Sequence, residues 1–235
     1  EELDALFNFD ANLCAQDAVC NARSDDLAET IKQVIKDLPD RWLFFPIDLG
    51  KVKFITQFLL FHRSTAAVAF DAYLTAEAGD PSGLALMSLA YDFMIPSMVT
   101  WGDWIAKGSG DYTADRDWLT EMNPENTVIG SPVSLLVGGS TQLGGGWPVS
   151  SIPDEYLSVQ PSDIETLVVS GSVDYSTPAS HATEELMPTL QNGKQVILSE
   201  FGHFNDVWKL QPEATRHLLV TFFENGEVDD SHFTY

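Results

Sequence analysis

Basic residues are scarce in this chain of 235 residues: 12 Lys and Arg stand against 35 Asp and Glu, a formal charge of −23 at pH 7. Binding to nucleic acid or to an anionic membrane needs a basic footprint, so the shortage argues against both. The acidic excess is spread along the chain, as on a solvated surface; gathered at the mouth of a site it would instead attract cationic substrates such as free amino termini. Cysteine is scarcer still, with Cys14 and Cys20 alone. Two residues are too few for a thiolate metal site, and their spacing is not that of a C-x-x-C redox motif. They read as a local disulfide or as two buried thiols, and a disulfide would place the chain in an oxidising compartment, secreted or periplasmic. Long apolar runs are missing as well. "FITQFLLFHRSTAAVAF" is broken by Gln57, His62 and Arg63, short of the roughly 18 to 20 residues of a membrane span, so the chain is expected to be soluble. No initiator Met, basic n-region or signal segment precedes "EELDALFNFDANLC", which already reads as helix, so Glu1 is not expected to be the start of the gene product.

What is present is enough for a core: 44% of the residues are hydrophobic and 20% charged, which fits one large domain or a domain with a sizeable insertion. The first two thirds read as helices. In "SDDLAETIKQVIKDLP" Ser24 is the expected cap, Leu27, Ile31, Val34 and Leu38 recur at helical spacing, and Pro39 follows the end. "STAAVAFDAYLTAEAG" starts at Ser64 and stops at Gly79, "DPSGLALMSLAYDF" offers Asp80 as cap and Pro81 at the first helical position, and "TADRDWLTEM" reads as a short capped helix. Between about 130 and 162 the texture turns to Gly, Ser and Pro with little periodicity, marking a connection. Beyond it, "ETLVVSG" and "KQVILSE" are continuous apolar runs, as in strands of a parallel sheet covered on both faces. "TPASHATEEL" joins them as a crossover helix capped by Thr177, with Asn192-Gly193 as its exit turn, and "QPEATRHLLVTFFENG" is a final helix closing at Gly226. Two strands cannot make a stable sheet alone, so further strands are expected from upstream of Glu1 or from another chain.

The two strand-like runs each end in a polar group, Asp174 and His203, at the carboxyl ends where open α/β sheets carry their sites. A buried carboxylate that accepts from one imidazole nitrogen fixes the tautomer and stabilises the imidazolium formed when the other nitrogen takes a hydroxyl proton. An Asp after Ser-Gly can equally be a turn former, and a lone His a loop residue. His181 and His217 fall in expected helices, His62 in an apolar helical stretch and His232 near the end, all read as satisfied or solvated side chains. The two Trp residues and Asp103 of "TWGDWIAKGSGDY" read as packing. No serine has glycine two residues away on both sides, the G-x-S-x-G signature of a nucleophile elbow. Ser140 in "GGSTQ" comes nearest and lies in the Gly-rich connection, a poor candidate.

"SDIETLVVSGSVDYSTPASHATEELMPTLQNGKQVILSEFGHF" resembles the C-terminal catalytic segment of α/β-hydrolases of the proline iminopeptidase and tripeptidyl aminopeptidase branch, in which SG-x-x-D-x-x-TP carries the acid and GH the base. "CAQDAVCNARSDDLAETI" resembles the start of their helical cap and "LTAEAGDPSGLALMSLA" a later pair of cap helices, so the resemblance spans about 3–235. It implies an α/β fold: a mostly helical cap (lid) over 1–130, a Gly/Ser/Pro-rich connection over 131–162, and over 163–235 the C-terminal part of an α/β-hydrolase core with its last parallel strands and helices. It implies that Asp174 is the acid and His203 the base of a Ser-Asp-His triad, with no cofactor or metal. In that family the nucleophile elbow and oxyanion hole precede the cap. The serine and most of the sheet are therefore expected in an N-terminal portion carrying G-x-S-x-G, as a second chain or a missing segment. The implied activity is that of an aminopeptidase-like serine hydrolase on short peptides or related amides and esters, present only when that portion completes it. Trp147 and Phe204 are candidates for the substrate pocket, Trp147 with Pro148 alternatively forming a hinge. The other reading is a non-catalytic interaction module that kept the scaffold and covers its open sheet edge by dimerising.

Overall fold

The computed structural model describes residues 2–110, 117–141, 146–148 and 152–235. The chain divides into two compact units, Glu1–Leu59 with Ala67–Ile152, and Leu60–Ala66 with Pro153–Tyr235.

The first unit is helical. α1 (Glu2–Gln16), α2 (Ala18–Asn21) and α3 (Leu27–Asp37) lead into a small antiparallel ribbon of β1 (Arg41–Trp42) and β2 (Phe45–Pro46). Then come α4 (Leu49–Leu59), α5 (Arg63–Glu77), whose first turn belongs to the second unit, α6 (Ser82–Met98), α7 (Trp101–Gly110), α8 (Trp118–Met122) and α9 (Pro132–Thr141). α3 buries Leu27, Ile31 and Val34, whose spacing puts them on one face of a helix. Its cap is Asp26, not the expected Ser24: Asp26 is extended and its carboxylate accepts the Glu29 N–H at 3.0 Å, whereas the Ser24 hydroxyl is engaged by that of Thr30 at 2.8 Å. The helix ends at Asp37 because Leu38, before Pro39, is forced into extended backbone (ψ 123°). Cys14 and Cys20 form a disulfide around Asp17, whose carboxylate caps α2 through the Val19 and Cys20 N–H groups.

Helices α4 and α5 share a buried polar contact. The Thr56 hydroxyl donates to the Val52 carbonyl (2.8 Å) and so accepts from the Tyr73 hydroxyl (2.7 Å). Tyr73 is fully buried, and burial pushes its phenol pKa well above the ordinary value. Gly83 lets α6 close on α5, since a Cβ there would lie 2.9 Å from that of Ala72. The segment expected as an irregular connection contains α9, whose first turn is capped by buried Gln57 accepting the Val133 N–H at 2.9 Å. No single helix among the described residues is long and apolar enough to cross a membrane.

The second unit is built on a parallel pair, β3 (Thr166–Gly171) and β4 (Gly193–Leu198), in register from Thr166 opposite Gly193 to Gly171 opposite Leu198. One face carries Leu167, Val169, Val196 and Leu198 into a core closed by Phe201, Val207, Ala214, Leu218 and Phe233, with helices α11 (Phe204–Lys209) and α12 (Pro212–Asn225) packed over it. On the other face Ile197 is 48% exposed, so the pair is not covered on both faces as its apolar runs suggested. Among the described residues β3 pairs with β4 alone, leaving its other edge without a strand.

The crossover is not the single α-helix expected. Thr177 is not its cap: Pro178 takes that position, α10 (Ala179–His181) lasts three residues, and the chain continues as a π turn over Ala182–Leu186 and a 3-10 turn over Met187–Thr189. Pro188 explains part of this, since it lacks the N–H that an α ladder would require there. The end of α12 is as expected, at Gly226 with φ 68°, a left-handed conformation that glycine adopts at little cost.

Candidate active site

Asp174 sits in the turn that leaves β3. It is 5% exposed, and its oxygens are fully employed: Oδ1 accepts the N–H groups of Ser176 (2.8 Å) and Thr177 (3.0 Å), and Oδ2 the Thr177 hydroxyl (3.0 Å). Such a turn orients the carboxylate through the three residues that follow it. Thr177 is thus drawn away from a capping role by the acid it serves. The remaining bond runs to His203, whose Nδ1 lies 2.9 Å from Oδ2 and 3.2 Å from Oδ1. A carboxylate only accepts, so Nδ1 carries the hydrogen and, in the neutral ring, Nε2 is left with its lone pair. Nε2 has no hydrogen-bond partner among the described residues, and the side chain is 24% exposed.

The loop that delivers His203 explains the two glycines beside the pair. After β4 the chain turns sharply through Glu200, at φ 58°, with the Glu200 N–H held by the Ser172 hydroxyl at 2.8 Å. It then passes directly over the end of β3: a Cβ on Gly171 would lie 2.1 Å from the Phe201 carbonyl oxygen and 2.3 Å from that of Gly202. Only a residue without a side chain allows that crossing. The Val173 N–H bonds the Phe201 carbonyl at 3.0 Å, so the Asp174 turn and the His203 loop are tied together by backbone as well.

Of the residues singled out in the sequence, Asp174, His203 and Phe204 come together. The Phe204 ring, 58% exposed, stands edge-on to the imidazole with centroids 5.1 Å apart. Trp147 belongs to the first unit and is 38% exposed. The Ser140 side chain lies outside the described residues. Asp103 forms an i, i+4 ion pair with Lys107, and Trp101 is exposed. His181 faces Glu185 on the surface, His217 bonds Asp229 at 2.9 Å and stacks on His232, and His62 lies in the turn before α5 instead of within a helix. Among the described residues no group of three or more His, Cys, Asp or Glu is placed to hold a metal ion.

Sequence reasoning missed two neighbours. Phe61 brings its ring to 5.7 Å from the imidazole on a segment distant in sequence, and its carbonyl accepts the His203 N–H at 2.6 Å. Asp206, 3% exposed, holds the same segment. Phe61 sits in an apolar helical run and Asp206 looks like an ordinary acid in the first turn of a short helix, so neither pattern marks them.

A carboxylate bonded to Nδ1 of an imidazole whose Nε2 has no partner among the described residues, with an aromatic on either side, is an arrangement that can take up a proton at Nε2. Residues 138–234 match the family model Abhydrolase_4, described as TAP-like protein. No curated protein and no solved structure matches the chain. The matched segment contains both strands of the parallel pair, Asp174 and His203, and supports an α/β-hydrolase-type domain there, with hydrolase activity as the chemistry it suggests.

Proposed function

We propose that the chain supplies the acid and base of a Ser-His-Asp triad in a serine hydrolase, with the serine carried by an N-terminal α/β-hydrolase portion outside these 235 residues, as a second chain or a preceding segment. The observation that carries this is the His203 Nδ1 to Asp174 Oδ2 bond of 2.9 Å with Nε2 unpartnered among the described residues. In the reaction Nε2 would take the proton of the attacking serine hydroxyl, Asp174 would stabilise the imidazolium, and the proton would pass to the leaving amine or alcohol as the tetrahedral intermediate collapses; water then repeats the sequence on the acyl-enzyme. Backbone N–H groups of the nucleophile-bearing portion would hold the oxyanion. The edge of β3 that has no strand partner among the described residues and the exposed Ile197 support a sheet continued by that portion.

Residues 1–130 are read as the cap that selects substrates, with 131–162 as its connection to the core at 163–235. The substrate class is short peptides with a free amino terminus, or related amides and esters, where the net charge of −23 favours a cationic amine. The disulfide supports a secreted or periplasmic setting. Intact mass and a denaturing gel on the native, full-length protein, together with hydrolysis of an aminoacyl arylamide and its N-acetylated form, test the reading. Expected are a G-x-S-x-G-bearing portion and faster cleavage of the free amine. A chain that purifies as a homodimer without such a portion and without activity would instead identify an interaction module.

A further inference from the structure

His203 takes its position from its loop, and the loop is held by Asp206. One oxygen of that buried carboxylate, Oδ2, accepts the Gly202 N–H at 3.0 Å and the Arg63 N–H at 2.8 Å. The Asp206 N–H returns to the His203 carbonyl at 2.7 Å, and the His203 N–H donates to the Phe61 carbonyl at 2.6 Å. Two segments remote in sequence, 61–63 and 202–206, are therefore cross-tied on both sides of the imidazole-bearing residue. They meet without slack: a Cβ on Gly202 would lie 2.5 Å from the Phe61 oxygen and 2.8 Å from Asp206 Oδ2. The second oxygen, Oδ1, lies 3.7 Å from His62 Nδ1, a buried nitrogen with no hydrogen-bond partner among the described residues. Asp206 makes no hydrogen bond to either ring nitrogen of His203, so it has no part in proton transfer. A buried carboxylate is costly to desolvate, and this one spends its acceptors on the backbone that flanks the base.

We propose that Asp206 is a positioning residue: by joining the Gly202 and Arg63 N–H groups on one oxygen it locks the His203 loop against residues 61–63 and fixes the direction in which Nε2 points. The proposal rests on the triad reading above. Fluorophosphonate labelling of the native, full-length protein, resolved into kinact and KI, tests it. Because a misplacement of about 1 Å can cost about 100-fold in rate, Asp206→Ala should lower kinact by about that factor and leave KI within about twofold. Asp206→Asn keeps a carbonyl oxygen that can accept both N–H groups and should restore kinact to within about fivefold of wild type. A kinact for Asp206→Ala within about threefold of wild type, or a loss carried by KI, overturns the proposal. If Asp206→Ala has no melting transition, Asp206→Glu decides. Its extra methylene moves the carboxylate off both N–H groups, so a fall in kinact beyond about threefold supports positioning and a smaller one overturns it. An unlabelled wild type counts against the hydrolase reading alone. Asp206 is then judged by the low-field proton of His203 Nδ1, which should shift or vanish in Asp206→Ala and would stay in place if the residue had no positioning role.

Discussion

At the residue scale the site is a set of short contacts whose removal has graded effects. If the proposed triad holds, His203→Ala and Asp174→Asn in the native, full-length protein should each lower kcat by about three to four orders of magnitude, with melting temperatures near wild type for His203→Ala. Gly171→Ala is different in kind. Its Cβ would meet the Phe201 oxygen at 2.1 Å, a backbone atom that cannot give way without moving the base loop, so the variant should lose about 3 kcal/mol or more of stability and most of its activity together. Asp174 and His203 were legible because each follows an apolar run and stands at a strand's carboxyl end. Phe61 and Asp206 were not, because their roles depend on two segments 140 or so residues apart meeting in space, and no local periodicity records that (Arg63 to Asp206 is one such bond). Tyr73 offers a pH test. Its phenol is raised by burial, so its contribution is fully present below the unfolded value of about 10 and is lost as pH rises toward the higher folded value. Thermal melting above about pH 10 should therefore steepen its decline in wild type and less so in Tyr73→Phe.

At the scale of elements, helix caps and docking faces carry the stability. Asp26→Ala removes the acceptor of the Glu29 N–H and should cost about 1 kcal/mol, while Ser24→Ala should cost less; urea denaturation of the two variants distinguishes the cap seen from the cap expected. Leu218, fully buried under the sheet, anchors α12, and Leu218→Ala should cost about 3 kcal/mol. Most helices could be read in advance from periodicity and punctuation: α3 from Leu27, Ile31 and Val34 with Pro39 beyond, α12 from Gly226. The crossover could not. Ala179, Ala182, Glu184, Glu185 and Leu186 favour helix, but Pro188 and the demand of Asp174 on Thr177 override them, and the result is three short turns in place of one helix. α9 was missed for the opposite reason, since its Gly- and Ser-rich sequence has weak propensity and its first turn is supported from outside by Gln57.

At the scale of the whole molecule, the charge of −23 opposes compaction through self-repulsion, so raising salt from about 0.01 to about 0.5 M should raise the melting temperature, the reverse of a fold held by surface ion pairs. Under the proposed triad, a β3 that pairs with β4 alone and a His203 Nε2 without a partner, both among the described residues, would be completed by a serine from outside these 235 residues. The direct check is to label the native, full-length protein with a fluorophosphonate and map the modified peptide by mass spectrometry, with His203→Ala as control. The result expected is a modified serine in a G-x-S-x-G sequence outside these 235 residues, absent in His203→Ala. A modified residue within this chain, or labelling that survives the loss of His203, would contradict the account.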